Sequence, residues 1–117
     1  AALSADWVRF LPALQRMREV GERAPAVAEL AALTGLTRGH FTARFHALTG
    51  MTPVRWLLAT RIGHAKALLA QPGASRLEEV TREAGFHDAF HLSKQFKRHV
   101  GVSPKDYRKA AGRPVLP

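Results

Sequence analysis

The sequence has no cysteine and few acidic residues, and each shortage restricts what the chain can do. Without cysteine there can be no disulfide bond, no thiolate zinc site and no thiol nucleophile. No apolar run approaches the roughly 18 residues of a membrane-spanning helix, and no signal-peptide pattern opens the chain. We therefore expect a cytoplasmic protein with no membrane partner. Because the chain begins with Ala1 rather than methionine, we also expect it to be a fragment of a longer protein.

Basic residues outnumber acidic residues by two to one. Eighteen lysines and arginines stand against nine aspartates and glutamates, which gives a formal net charge of +9. The excess is concentrated in residues 94–113, where seven side chains are basic and only Asp106 is acidic. Such an excess favours a polyanionic partner, most often nucleic acid and less often an anionic membrane surface. The remaining composition, with 46% hydrophobic residues, is that of a globular domain.

The sequence contains one segment twice. Residues 27–36 match residues 77–86 at an offset of 50, and residues 40–56 match residues 91–107 at an offset of 51, so the second copy has one additional residue in its turn. The matched residues are apolar, aromatic or glycine, or they form a pair in which threonine or serine precedes proline. They pair Gly35 with Gly85, Leu36 with Phe86, His40 with His91, Phe45 with Phe96, Gly50 with Gly101, Thr52-Pro53 with Ser103-Pro104 and Trp56 with Tyr107.

Each copy predicts a short helix, a glycine turn and a second helix, which is the helix-turn-helix arrangement. Gly35 and Gly85 suit the left-handed conformation in which a helix ends. Thr37 and Asp88 can cap the second helix through their side chains. The side chains predicted to point inward are Val27, Leu30, Ala31, Leu33, Leu36, Phe41, Phe45 and Leu48 in copy one and Phe86, Leu92, Phe96 and Val100 in copy two.

Two further helices are predicted around these copies. Thr52-Pro53 marks the start of a helix whose period continues over residues 53–71. The length of this helix, ~28 Å, is close to the distance of ~34–36 Å between successive major-groove faces on one side of B-DNA. An N-terminal amphipathic helix is predicted to end near Gly21, and Pro12 predicts that its regular part begins near Leu11 or bends there. The apolar residues of that helix are Trp7, Val8, Phe10, Leu11, Leu14 and Met17.

Part of copy two resembles a known family. Residues 84–98, continuing through Gly101-Val102-Ser103-Pro104 and Tyr107-Arg108, closely resemble the signature of the AraC-type bacterial transcription regulators. Copy one, from Leu30-Ala31 through Thr52-Pro53, resembles the other half of that family's domain. The resemblance covers residues 26–109.

The resemblance implies an all-α fold of about seven helices, with two helix-turn-helix units joined by a long central helix. We expect an N-terminal helix in residues 1–25, the first unit in 26–52, the connecting helix in 53–72, the second unit with a C-terminal helix in 73–109, and a fraying tail in 110–117. The resemblance also implies double-stranded DNA as a partner, RNA polymerase as a candidate second partner, and a sensor or dimerisation domain outside this chain.

Base readout comes from side chains near the start of a recognition helix that point away from the core. The predicted DNA-binding residues are Arg38, Gly39, Thr42, Ala43 and His46 in copy one and Ala89, Phe90, Ser93, Lys94, Lys97 and Arg98 in copy two. Lys94 can donate to guanine, and Phe90 can either pack on a thymine methyl or lie in the core. Arg98, Lys105, Arg108 and Lys109 are predicted to contact phosphate. The resemblance is weaker at Ala43, where many relatives carry a polar or basic residue.

Three functions compete at this stage. The first is the sequence-specific DNA-binding domain of a transcription activator, with no catalytic residues, cofactor or metal. The second is a nucleoid or interaction protein without sequence preference, and the third is the DNA-targeting module of a larger enzyme. His87 and His91 have the spacing of two metal ligands on a helix, but no third ligand accompanies them.

Overall fold

Seven helices form the described part of the chain, which comprises residues 5–19, 25–73 and 76–111 of a computed structural model. Within these ranges there is no strand, so the predicted all-α class is confirmed. None of these helices combines the length with the hydropathy that spanning a membrane requires. The helices are α1 (Ala5–Arg18), α2 (Val27–Thr34), α3 (Arg38–Thr49), α4 (Pro53–Ala70), α5 (Leu77–Glu83), α6 (Ala89–Val100) and α7 (Pro104–Ala111).

The chain divides into two compact units, and the division falls inside α4 between Thr60 and Arg61. Unit 1 contains α1, α2, α3 and the first part of α4. Unit 2 contains the rest of α4 together with α5, α6 and α7. Each unit therefore holds one copy of the sequence repeat. The predicted tail starts within the last turn of α7, which runs to Ala111, and residues 112–117 lie outside the described ranges.

The core of unit 1 is built from aromatic side chains. Phe10 of α1 stacks on Phe41 of α3, with ring centroids 5.2 Å apart, and Phe45 lies 5.8 Å from Phe41. Trp56 of α4 meets Phe45 edge-on at 5.6 Å. All three phenylalanines are at most 1% exposed. Burying side chains of this size supplies much of the free energy that holds a small unit together.

Helix α1 corrects one prediction about the N-terminus. Of the two alternatives for Pro12, a start of the regular helix near Leu11 is wrong, because the helix begins at Ala5 and continues through Pro12 to Arg18. Gly21 lies outside the described residues. A proline in a helix leaves the carbonyl four residues earlier without its partner. That carbonyl belongs to Val8, whose residue is exposed, and the helix is retained because it buries Phe10, Ala13 and Met17.

Three residues of the predicted apolar helix faces are exposed instead. Val8, Leu11 and Leu33 are 55%, 44% and 46% exposed, whereas Leu30 and Ala31 are buried as predicted. Helical periodicity marks an apolar stripe, but the width of the stripe that is covered depends on the neighbouring helix. On α1 and α2 the stripe that is actually buried is narrower than the apolar stripe of the sequence, so Val8, Leu11 and Leu33 remain exposed.

The core of unit 2 repeats the plan of unit 1 with fewer aromatic residues. Phe86 and Leu92 are buried as predicted, and Phe96 is fully buried. Tyr107 of α7 meets Phe96 edge-on at 5.4 Å, which is the counterpart of the pair formed by Phe45 and Trp56 in unit 1. The sequence repeat is thus also a repeat of packing.

Candidate nucleic-acid interface

The turn between the first and second helix has the same backbone geometry in both units. Gly35 has φ +73° and Gly85 has φ +85°, in the left-handed region where a side chain is disfavoured. The amide of the following residue then bonds to a carbonyl five positions earlier: Leu36 N–H to Ala31 O at 3.2 Å, and Phe86 N–H to Thr81 O at 2.9 Å. This closure fixes the direction in which the second helix leaves the turn.

Each second helix begins with a side-chain cap, as the sequence predicts. The Thr37 hydroxyl accepts from the His40 amide at 3.2 Å at the start of α3. The Asp88 carboxylate accepts from the His91 amide at 2.7 Å at the start of α6. The caps define the first turn of both helices, and both capping residues are exposed.

Both helices turn a matching set of positions to solvent. In α3 the buried Phe41 and Phe45 leave Gly39, Ala43 and His46 on the opposite face, and all three are exposed. In α6 the buried Leu92 and Phe96 leave the equivalent positions to Phe90, Lys94 and Lys97, which are exposed too. We call these two sets the outer faces of α3 and α6. A recognition helix uses such a face, near its N-terminus, to reach base edges.

The other predicted contact residues flank these faces. Arg38 and Arg98 are exposed, whereas Thr42, Ala89 and Ser93 are partly buried. The Thr42 hydroxyl donates to the Arg38 carbonyl of its own helix at 2.9 Å, which leaves its oxygen able to act as an acceptor only. Thr42 is consequently a more restricted base-reading group than its position alone indicates.

Phe90 lies outside the core. Its side chain is 77% exposed, the highest value among the large hydrophobic residues of the described chain. Exposure of an aromatic ring to water is unfavourable in free energy. Contact with an apolar group such as a thymine methyl would remove that unfavourable exposure. Of the two roles that the sequence left open for Phe90, the core role is wrong.

The residues predicted to contact phosphate are not alike. Arg98, Lys105 and Lys109 are exposed. Arg108 is partly buried and lines a cleft of about 410 Å³ beside the C-terminal end of α4, together with Leu69, Ala70, Gln71, Pro72, Gly73 and Ala111. Its Nε and Nη2 atoms are buried and have no hydrogen-bond partner in the described chain. Arg108 is therefore a weaker candidate for phosphate than its exposed neighbours.

His91 packs against the turn of its own unit. Its ring meets the ring of the buried Phe86 edge-on, with centroids 5.6 Å apart. His87, which follows Phe86, is the additional residue of the second copy and borders an open cleft of about 490 Å³ between α5 and the start of α6. In the described residues no group of three potential metal ligands comes together.

Sequence reasoning gave Asp88 only a capping role. The structure places it directly before α6, two residues before the exposed Phe90, and on the border of the same cleft. The sequence would have indicated Asp88 as a candidate contact residue only if the cap of α6 and the exposed face of α6 had been considered together.

Comparison with known proteins identifies the kind of domain. A family model described as a helix-turn-helix domain matches residues 30–110. The MmsAB operon regulatory protein of Pseudomonas aeruginosa is 33% identical over 93 residues, which is 80% of this chain and 30% of that protein. The activator RhaR of Yersinia pseudotuberculosis is 38% identical over 74 residues, 62% of this chain and 25% of RhaR. The chain thus spans less than a third of the length of these curated relatives.

Solved structures agree with the sequence relatives. The DNA-binding domain of the global transcriptional factor AdpA, solved with a target DNA, is 30% identical and superposes with a TM-score of 0.76, covering 92% of this chain and 93% of that one. A regulator from Chromobacterium violaceum with an AraC-type DNA-binding domain shares the fold at a TM-score of 0.80 and 21% identity, over 93% of this chain and 96% of that one. With the family model covering most of its length, this chain belongs to the AraC-type helix-turn-helix DNA-binding domains of bacterial transcription regulators.

Proposed function

We propose that this chain is the sequence-specific DNA-reading part of a transcription activator, and that α3 and α6 enter adjacent major grooves of one duplex. The observation that carries the proposal is the repeated outer face. Two helices of unequal sequence, each capped and fixed by the same turn, present equivalent exposed positions near their N-termini. A helix backbone held in this way needs no further ordering when it binds.

The comparisons support the same proposal from another direction. AdpA's domain, which was solved with a target DNA, aligns with both units of this chain. RhaR is named an activator, which favours activation and hence RNA polymerase as a second partner of the whole protein. Because relatives extend well beyond the matched region, a further sensor or dimerisation domain would complete that protein.

Selection of bound sequences from a pool of random duplexes tests the proposal. We expect a motif with two unlike halves, because the outer face of α3 carries Gly39, Ala43 and His46 where that of α6 carries Phe90, Lys94 and Lys97. The halves should lie about one helical turn apart, ~34–36 Å, which is the distance between successive major-groove faces on one side of B-DNA.

Nuclease footprinting with one chain per duplex provides the second measurement. Two protected segments in an asymmetric site are expected. A footprint confined to one half, or a palindromic motif that requires two chains, would contradict the proposal. Equal affinity for selected and random duplexes at one salt concentration would instead favour a nucleoid-type protein, since the charge of +9 alone gives sequence-independent binding.

A further inference from the structure

Asp88 is the one acidic group at the start of either recognition helix in the described chain. It is exposed, and it immediately precedes α6 in extended conformation, with φ −153° and ψ 168°. Thr37 holds the equivalent position in unit 1 and is uncharged. On an interface made for a polyanion, a carboxylate is unfavourable unless it finds a donor.

Capping uses only part of the hydrogen-bonding capacity of this carboxylate. Oδ1 accepts from the His91 amide at 2.7 Å. An ionised carboxylate has two oxygens and about four lone-pair positions, so Oδ2 is not needed for the cap. Asp88 also borders the open cleft of about 490 Å³, so a group from outside the protein can approach it.

The chemistry of base edges restricts what Oδ2 can bind. In the major groove, guanine N7 and O6, adenine N7 and thymine O4 are acceptors, and they repel a carboxylate. Cytosine N4 and adenine N6 are donors, but adenine N6 lies beside the N7 acceptor. Cytosine is therefore the base whose own edge offers a carboxylate a donor without an adjacent acceptor.

We propose that Asp88 has a second role beyond capping, in which it accepts a hydrogen bond from the amino group of a cytosine in the half-site bound by α6. This inference rests on the proposed function, because it requires α6 to lie in the major groove. Phe90, two residues further on and 77% exposed, lies on the same first turn.

The test replaces Asp88 by residues that keep the cap. Serine and asparagine are as good as aspartate at this position of a helix, so Asp88→Ser and Asp88→Asn should unfold at nearly the temperature of the parent chain. In Asp88→Ser the preference for cytosine over the other bases at one position of the motif should fall roughly tenfold. Because preference is a ratio between duplexes, the general gain in affinity from removing a negative charge cancels.

Asp88→Asn should reverse the preference. If the amide oxygen keeps the cap, the group left to face the base is an amino donor, which favours acceptors and makes cytosine the least selected base at that position. In the matched variant Thr37→Asp, a new cytosine preference should appear in the other half of the motif. Both changes are visible in the same random-pool selection.

The outcomes separate this inference from the function on which it rests. If the parent chain selects no motif, the proposed function is wrong and the inference is lost with it. If the parent selects a two-part motif but Asp88→Ser and Asp88→Asn select the same motif with uniformly higher affinity, Asp88 only caps α6 and repels phosphate. That second result would overturn the cytosine contact alone.

Discussion

The outer faces of α3 and α6 occupy equivalent positions on equivalent scaffolds, but their chemistry differs. Gly39, Ala43 and His46 make the face of α3 small, whereas Phe90, Lys94 and Lys97 make that of α6 bulky and basic. The turns, caps and edge-on aromatic pairs beneath both faces are nearly the same. The repeat therefore keeps the residues that fix a helix in place and varies the exposed residues that we propose to contact DNA.

Salt dependence should show the largest effect and should divide unequally between the two faces. With about six phosphate contacts the log–log slope is roughly −5, so affinity falls roughly 1,000-fold between 50 and 200 mM salt. Lys97→Ala on α6 should reduce the slope by about 1, and Ala43→Lys on α3 should steepen it by a similar amount. Titration of one duplex at several salt concentrations measures both. A slope near zero in the parent chain would remove the electrostatic argument.

A pair of phenylalanines distinguishes residues of the scaffold from residues of the outer faces. Phe10 is 1% exposed and Phe90 is 77% exposed. Phe10→Ala should lower the free energy of unfolding by about 3–5 kcal/mol, because it leaves a cavity in the aromatic cluster of unit 1. Phe90→Ala should change it by less than about 0.5 kcal/mol. Denaturant unfolding monitored by circular dichroism checks both values.

Phe90→Ala has a second readout on DNA. It should weaken binding to the selected site but not to the same site with deoxyuridine in place of thymine, since the base then lacks the methyl group. An equal loss on both duplexes would mean that Phe90 does not contact a thymine methyl.

Lys94 and Thr42 decide which half of the chain supplies more specificity. Lys94 is exposed on the outer face of α6, and the Thr42 hydroxyl is already bonded within α3. Lys94→Ala should cost about 1–3 kcal/mol of binding free energy and relax one position of the motif, whereas Lys109→Ala should weaken all sequences alike. If Lys94→Ala keeps the motif while Thr42→Ala or Arg38→Ala erases half of it, the roles of the two units are exchanged.

The smallest effect tests whether DNA approaches the backbone of α3 closely. A Cβ at Gly39 or at Gly63 of α4 would meet no atom of the described chain within 4 Å other than those of its chain neighbours and of the nearby backbone of its own helix. Gly39→Ala and Gly63→Ala should both raise the free energy of unfolding, by up to about 1 kcal/mol, because alanine favours the helix. On our assignment neither variant loses affinity for the selected duplex. A loss in Gly39→Ala alone would show close backbone approach at that point.

The predictability of each feature depended on how local its cause is. Thr37 and Asp88 were predicted as caps because a cap involves only residues a few positions apart. A start of α1 near Leu11, one of the two alternatives that Pro12 suggested, is wrong because the local effect of Pro12 is outweighed by burial of Phe10 against α3, a contact between distant parts of the sequence. Exposure of Leu33 and Phe90 likewise depends on which surfaces the other helices cover.

The candidate site shows the same division. The positions of both outer faces follow from the spacing of the buried phenylalanines and Leu92. The partial burial of Arg108 does not, because it arises from the packing of α7 beside the end of α4. The bases that each side chain contacts depend on the geometry of a bound duplex, which no pattern within a single helix encodes.

The ends of α3 and α6 have a consequence for how such a chain can evolve. In each case a left-handed glycine, Gly50 or Gly101, closes the helix, and a hydroxyl two residues later caps the next one, with the Thr52 oxygen accepting from Arg55 at 3.2 Å and the Ser103 oxygen from Asp106 at 3.1 Å. The signals that end one helix and begin the next therefore lie within a few residues of each other. A gene segment that ends in this way can be duplicated without disturbing the helix that follows, and each copy can then drift toward its own DNA sequence.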